Sequence, residues 1–400
     1  MCRSVHSHDI LPDRRVVLNW ADGERNHYHF VWLRQQHFHP AIGRSDQVPD
    51  AALRLPDDPA SLEVASSAIE NGELVVEWAG DGVVTRHDLG WLRRNAYDRL
   101  SRLGRKVRQQ TWTGSEASTF PWLDWQALLV DDEALFAFEV RLRDYGFARV
   151  RGAPAGSGEV ARLAERLGAL RNTDFGAVAT IETRPPSKDG RYTNLGAGGW
   201  VRLAPHTDEG WRYAPPGISF HLGLESTPGE GGDSILVDGL LAARRLAARD
   251  PEAFDFLTRK PFRFCAERNP RERFVARGRV IVTDQDGEVV GIRFSDRTLG
   301  VQDLDETMIE PAYKALGAFA RELYSTDLVY RHKLQPGECH VFDNHRILHA
   351  RTEFDPESGP RRIAQCSVDR EEFHNSYRQL SERLGRMDDA HLILPNGALG

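Results

Sequence analysis

Hydrophobic and polar positions alternate in short strides near the start of the chain. Val16, Val17, Leu18 and Trp20, a turn at Ala21-Asp22-Gly23-Glu24, and then Tyr28, Phe30, Val31, Trp32 and Leu33 predict a β-hairpin over 14–34. A second hairpin is predicted where Leu74-Val75-Val76-Glu77-Trp78 and Gly82-Val83-Val84-Thr85 flank Ala79-Gly80-Asp81, and helical periodicity follows over 89–103. These elements define a small β-rich N-terminal domain over residues 1–108.

A Ser/Thr/Gly-rich piece over 111–119 links this domain to a larger one, expected over 120–392. Helices are predicted over 131–145, where Leu135, Phe138, Val140 and Leu142 recur, and over 158–167, where Val160, Leu163 and Leu167 share a face. A strand at Phe147-Ala148-Arg149-Val150 separates them. Beyond these, apolar runs over 217–224, 234–237, 279–283, 289–294, 339–342 and 362–368 are punctuated by Gly, Pro and Asp, with helices over 240–248 and 308–324. Many short strands with turns between them suggest a mainly β fold with flanking helices, its catalytic core a double-stranded β-helix or jelly roll.

Composition narrows the class. The 400 residues are 28% charged and 40% hydrophobic, the mixture of an ordinary globular enzyme. A net charge of −7 argues against nucleic acid as a partner, because phosphate neutralisation needs a concentrated basic surface. The arginine-rich stretch 93–108 is the local exception; it is read as a solvated helix face, with a partner surface or polyanion site as alternatives. Four cysteines, Cys2, Cys265, Cys339 and Cys366, show no short paired spacing, so neither a disulfide framework nor a thiolate zinc site is indicated. The polar N-terminus lacks the apolar run of a signal peptide, and no stretch approaches the roughly 20 apolar residues of a membrane span. A cytoplasmic protein without membrane association is expected.

The candidate chemistry lies in His206-Thr207-Asp208 and His349. Residues i and i+2 of an extended strand point the same way, so His206 and Asp208 can aim an imidazole and a carboxylate into one cavity. His349, behind Val341-Phe342-Asp343-Asn344, can supply a second imidazole. Two imidazoles and one carboxylate hold iron(II) on one face and leave positions open for oxygen and substrate.

Around these ligands stand Pro215-Pro216-Gly217, Gly231-Gly232-Asp233-Ser234, Val237-Asp238-Gly239, Phe342-Asp343-Asn344, Leu348-His349-Ala350-Arg351 and Arg362. In that order the series resembles the taurine dioxygenase superfamily of iron(II)/2-oxoglutarate-dependent oxygenases. Within it the chain is most similar to the γ-butyrobetaine/trimethyllysine hydroxylase-like branch, and Val31-Trp32-Leu33-Arg34 resembles a signature of that branch's N-terminal domain. The resemblance implies His206, Asp208 and His349 as iron ligands, and 2-oxoglutarate and O2 as co-substrates. It also implies that Arg362 holds the distal carboxylate of 2-oxoglutarate with help from Ser234. A guanidinium fork matches a carboxylate bidentately. Arg361 is expected on the opposite strand face, as a solvated charge.

That branch binds trimethylammonium groups in aromatic cages through cation–π attraction. Here the matching positions carry Phe175, Ala179, Gly198 or Ala197, and Val368, so at most one cage aromatic remains. The expected substrate is instead a small polar molecule, amino-acid-like or anionic, facing Phe175, Asn194, Gly198, Trp200, Arg202 and Trp211, with Arg212 and Tyr213 nearby. Relatives in the branch often carry zinc in the N-terminal domain on three Cys and one His. In this chain His37, His39 and Ile42 stand at the thiolate places, so zinc is not expected there, and the domain's role is packing or homodimer formation. Hydroxylation with release of succinate and CO2 is the leading reading. A γ-butyrobetaine-type hydroxylase, a zinc hydrolase using the same three ligands and a non-catalytic 2-oxoglutarate sensor are the competing ones.

Overall fold

The structure, a computed structural model, describes residues 4–36, 56–173, 176–182, 201–269 and 272–399. The chain divides into two compact units, residues 1–106 with 391–393, and residues 107–390 with 394–400.

The first unit contains two three-stranded antiparallel sheets. One is β1 (Val5–Leu11), β2 (Arg15–Trp20) and β3 (Arg25–His29); the other is β4 (Val64–Glu70), β5 (Glu73–Trp78) and β6 (Val84–Asp88). Their apolar faces share one core, with Val16, Leu18, Trp20 and Tyr28 against Leu74, Val76 and Trp78. Phe30, Val31, Trp32 and Leu33 do not extend the hairpin: they form the helix Phe30–Gln35, which buries Phe30 and Leu33 one turn apart. A four-residue apolar run fits either period, and here the helical one packs better. The helix expected over 89–103 is two, Leu89–Arg94 and Arg99–Arg105. It breaks because Asp98 caps the second helix, accepting from the Ser101 N–H at 3.0 Å, while the Asn95 amide bonds the Trp91 carbonyl at 2.9 Å. Arg93 is not a solvated charge: it is buried over the Trp20 ring and paired with Asp22 and Glu24 at 2.9 and 2.7 Å.

In the second unit the strands are β7 (Trp122–Asp124), β8 (Phe147–Arg151), β9 (Val178–Glu182), β10 (Leu203–His206), β11 (Ile218–Glu225) and β12 (Ser234–Asp238). They continue with β13 (Pro261–Asn269), β14 (Glu272–Arg279), β15 (Ile281–Thr283), β16 (Val289–Ile292), β17 (Tyr330–His332), β18 (Glu338–Asp343), β19 (Ile347–Arg351) and β20 (Arg362–Val368). A four-stranded sheet has the order β10-β19-β12-β17, and a six-stranded sheet the order β7-β8-β18-β11-β20-β9. The sheets face each other: Leu236, Tyr330 and Ile347 from the small sheet pack with Phe147 and Phe342 from the large one. The other face of the small sheet, through Val237 and Leu348, meets Leu240, Leu257, Leu316 and Phe319 of three helices, Gly239–Arg249, Pro251–Arg259 and Glu306–Leu323. Burying each such large apolar side chain is worth roughly 1.5–3 kcal/mol. The β13–β14 hairpin was not among the expected elements, although Phe262, Phe264 and Ala266 alternate inward; its many arginines and glutamates mask the period. Among the described residues no helix is long and apolar enough to cross a membrane.

One end of the small sheet is tied by a buried ion pair. Arg346, wholly buried and immediately before β19, donates from Nε and Nη2 to the two carboxylate oxygens of Asp238 at 3.1 and 2.8 Å. Its remaining donors reach the Asp144 carbonyl at 2.8 Å and the Gln110 carbonyl at 2.5 Å. Asp238 also accepts from the backbone N–H groups of Leu240 and Trp112 at 3.0 and 3.1 Å, so it caps the helix that leaves β12. Every strong donor and acceptor of the pair is used, which offsets its desolvation. Removing one partner leaves a buried charge alone: Arg346→Met or Asp238→Asn is expected to lower unfolding free energy by about 3–5 kcal/mol. Denaturant titration checks this.

A second buried charge is less well served. Glu139 lies on the inward face of the helix Asp132–Tyr145 and accepts from Ser376 Oγ at 2.6 Å, while its other oxygen has no hydrogen-bond partner. Burial pushes its pKa up to about 8, with the Ser376 bond and Arg166 pulling only partly the other way. The folded state therefore holds the proton more tightly than the unfolded chain. Stability on this account is greatest below about pH 4.5 and falls as pH rises through about 8. Glu139→Gln should flatten that decline and raise the melting temperature at pH 9 while changing it little at pH 5.

Candidate active site

Strand β10 lies antiparallel to β19 with His206 directly opposite His349. The two rings sit 4.1 Å apart between centroids. Thr207 turns the other way, donating its N–H to the Phe294 carbonyl at 2.8 Å and accepting the Phe294 N–H at 3.1 Å. Asp208 therefore returns to the side of His206. Its Oδ1 lies 3.6 Å from His206 Nε2 and 3.6 Å from His349 Nε2. Among the described residues this trio is the one group whose donor atoms, all within 4.8 Å of one another, can hold a metal ion.

The electrostatics suit a cation. His206 Nδ1 sits 2.8 Å from the Ala204 carbonyl, which places a proton on that nitrogen and turns Nε2 towards Asp208. Burial pushes the pKa of His349 well below its ordinary value, so its ring is neutral. For Asp208 burial works to raise the pKa, but His349, His206 and His221 outweigh it and hold the carboxyl well below the usual range. Two imidazoles and an ionised carboxylate converge, a donor set that fits iron(II).

The turn that delivers Asp208 is held by Asn344. Its Oδ1 accepts the Asp208 N–H at 2.7 Å, and its Nδ2 donates to the Asp208 and Pro216 carbonyls at 3.2 and 3.0 Å. Glu209 follows with φ of 51°, a left-handed conformation that costs a non-glycine residue of order 1 kcal/mol and persists only where the surroundings enforce it. The Pro-Pro-Gly segment has a packing reason. A Cβ on Gly217 would lie 2.3 Å from the Arg370 backbone, so only glycine lets the chain enter β11 there. Asp343, beside Asn344, is itself bonded to the buried Arg370.

The two arginines before and in β20 exchange their expected places. Inward-facing Gln365 fixes the parity of the strand: Ser367, Gln365 and Ile363 share its side, and Arg361 continues that row. Arg361 is 8% exposed and its Nε donates to the Gly232 carbonyl at 2.9 Å. Arg362 points outward, 40% exposed at its side chain, 3.7 Å from Glu225. Arg361 is thus the buried guanidinium and Arg362 the solvated one. Burial, then the nearby Arg351, push the pKa of Arg361 down to about 9, and only Asp233 opposes. That carboxylate is already engaged by Arg331 at 2.5 Å. Ser234 is buried on β12, directly across from Arg351 on β19. Gly231 and Gly232, at φ of 79° and 71°, supply the left-handed backbone that turns the Gly232 carbonyl to Arg361.

The expected substrate-facing residues scatter. Phe175, Asn194, Gly198 and Trp200 lie outside the described residues, as do Ala197, His37, His39 and Ile42. Arg202 is exposed, its guanidinium 4.7 Å from the centroid of Tyr324. Trp211 is buried in the core beneath the helices. Arg212 stacks on Phe274 at 4.0 Å, and Tyr213 is exposed. Val368 lies on the far face of β20 with Ile218; Ser367 is the inward neighbour, 3.2 Å from Ser219. Ala179 sits opposite Gln365. Two inward residues escaped the sequence reading, Gln365 and His221, the latter with its ring 5.2 Å from that of His349. A polar residue inside an otherwise apolar strand, as in Ile-Ser-Phe-His-Leu, was the available signal.

A family model described as Taurine catabolism dioxygenase TauD, TfdA family matches residues 106–367. The gamma-butyrobetaine dioxygenase of Pseudomonas sp. (strain AK-1) is 30% identical over 361 residues, 90% of this chain and 91% of that protein. The mitochondrial trimethyllysine dioxygenase of Bos taurus is 28% identical over 363 residues, 88% of this chain and 82% of that protein. A solved asparagine oxygenase in complex with Fe(II), 2S,3S-3-hydroxyasparagine and succinate aligns at a TM-score of 0.48 and 18% identity, over 66% of this chain and 94% of that one. The chain belongs to the TauD/TfdA dioxygenase family, whose members depend on iron(II), 2-oxoglutarate and O2, and it is such a dioxygenase.

Proposed function

We propose that His206, Asp208 and His349 hold iron(II), and that Arg361, with Ser234, receives the distal carboxylate of 2-oxoglutarate. The observation that carries the co-substrate assignment is the burial of Arg361 beside Arg351, with the one opposing carboxylate, Asp233, already taken by Arg331. A carboxylate bound there would relieve that charge, and a charge-assisted guanidinium–carboxylate bond is among the strong ones. Bound iron would supply oxygen activation coupled to decarboxylation of 2-oxoglutarate to succinate and CO2. The protein's share is geometric: the two imidazoles and Asp208 set the coordination face, Arg361 sets the direction of the co-substrate, and the two facing sheets limit water. We read those sheets as the walls of a double-stranded β-helix, and the protein as cytoplasmic.

The reaction we propose is hydroxylation, or another oxidation begun by C–H abstraction, of a small polar molecule that is amino-acid-like or anionic. The inward row Ala179, Gln365 and Ser367 supports this, since it offers hydrogen bonds and no aromatic face to a quaternary ammonium. A second reading, oxidation of a quaternary ammonium compound, is supported by the names of the relatives that align along most of this chain.

Asp208→Ala and His349→Ala are expected to abolish iron-dependent succinate formation; retained turnover in either sinks the metal assignment. Arg361→Leu should raise the KM for 2-oxoglutarate at least tenfold, while Arg362→Leu should leave it within about twofold, as a solvated pair contributes little. The reverse order would return the anchor to Arg362. A turnover panel of amino acids, small carboxylates and trimethylammonium compounds separates the two substrate readings.

A further inference from the structure

Asp208 must present one oxygen to the metal, yet its own torsion does not choose which. The χ2 angle of aspartate is a broad, roughly two-fold sp³–sp² rotation, so a fixed backbone leaves the carboxylate free to swing. Asn344 fixes the backbone of Asp208 from both its N–H and its carbonyl. The remaining freedom is that of the carboxylate, and among the described residues one hydrogen bond restrains its far oxygen: Gln365 Nε2 donates to Asp208 Oδ2 at 3.2 Å. Oδ1 is left facing His206 Nε2 and His349 Nε2, 3.6 Å from each.

We propose that Gln365 is a positioning residue that locks the Asp208 carboxylate by its outer oxygen, so that Oδ1 alone is offered to the metal and the remaining coordination positions stay open. The inference rests on the reading of His206, Asp208 and His349 as the iron ligands. It is a role for this chain's own side chain, acting through Asp208.

Three features make Gln365 suited to this. Its strand is interior to the six-stranded sheet, paired on one side with β11 and on the other with β9, so its Cα is held in register between His221 and Ala179. Its amide is neutral, so it restrains the carboxylate without pairing off the negative charge the metal needs; a lysine or arginine there would compete with iron. Its neighbour His221 sets a wall: the ring stands at 87° to that of His349, and its Nε2 is buried with no hydrogen-bond partner. Gln365 is thus the donor that meets Oδ2, while Oδ1 faces the two ring nitrogens. Partners of this kind around metal ligands commonly change metal affinity by roughly 10–100-fold when removed.

The test uses the full chain, metal-free, with Mn(II) as an anaerobic-tolerant probe read by electron paramagnetic resonance, and Fe(II) binding read by calorimetry without oxygen. Gln365→Leu keeps the volume and removes the donor, and Gln365→Met does the same with an unbranched chain. Both are expected to weaken Mn(II) and Fe(II) binding by about 10–100-fold and to broaden the Mn(II) spectrum, while thermal unfolding of the metal-free protein stays within a few degrees of the parent. Unchanged metal affinity and spectrum in both variants overturns the proposal, whatever happens to turnover. Loss of metal-free stability with unchanged affinity also overturns it, since that marks a packing role. Asp208→Ala, measured alongside, separates the two layers: if it binds metal as the parent does, the ligand assignment fails and this inference falls with it. If it loses binding and the Gln365 variants do not, only the positioning role is lost.

Discussion

The buried pair between Arg346 and Asp238 is the contact on which the catalytic unit depends. Arg346 stands at the start of β19, the strand that carries His349, and Asp238 at the end of β12, its neighbour in the small sheet. Through the Asp144 and Gln110 carbonyls the same guanidinium reaches the helix and the loop that cover the edge. A charge without water needs every partner it has. That requirement leaves β19 little freedom to slide, and a slide of one residue would turn His349 out of the site.

The metal position follows from this order of constraints. Strand pairing sets His206 opposite His349, the Thr207 bonds to Phe294 return Asp208 to the same side, and Asn344 fixes the turn beyond it. None of these steps needs a metal, so the donor set is organised in advance, as an open coordination site requires. Glu209 in its left-handed conformation is a cost of that sharp turn, tolerated because the bonds on either side leave no alternative.

Much of this was legible in the chain, in unequal measure. The helices over 131–145 and 308–324 are long and strongly periodic, and the structure has them as Asp132–Tyr145 and Glu306–Leu323. Short apolar runs were ambiguous, which is why Phe30 to Leu33 became a helix. The iron-type donor spacing was readable because strand parity links His206 to Asp208 over a single intervening residue. Phe175, Asn194, Gly198 and Trp200 concern the substrate, and their selection rested on likeness and local composition with no packing constraint behind it. Trp211 shows the weakness of that route: a large aromatic three residues from a ligand is as well used in a core. Asp238 and Asn344 stood in the recognised motifs, but their work is to hold backbone and guanidinium, which no spacing rule announces.

Arg361 and Arg362 carry a broader consequence. The segment between His349 and β20 crosses from the small sheet to the large one; its first residues, Thr352 and Glu353, bond the Gly232-Asp233 backbone ahead of β12, and a short turn at Pro356–Ser358 follows. Adding or removing a residue in that crossing changes the count from histidine to arginine but leaves the facing of β20 intact, because β11 and β9 hold it from both sides. The linear interval between these two parts is therefore set by the turn, while the odd-and-even order inside the strand is set by its two neighbours. An arginine here is best located by counting back from its own strand.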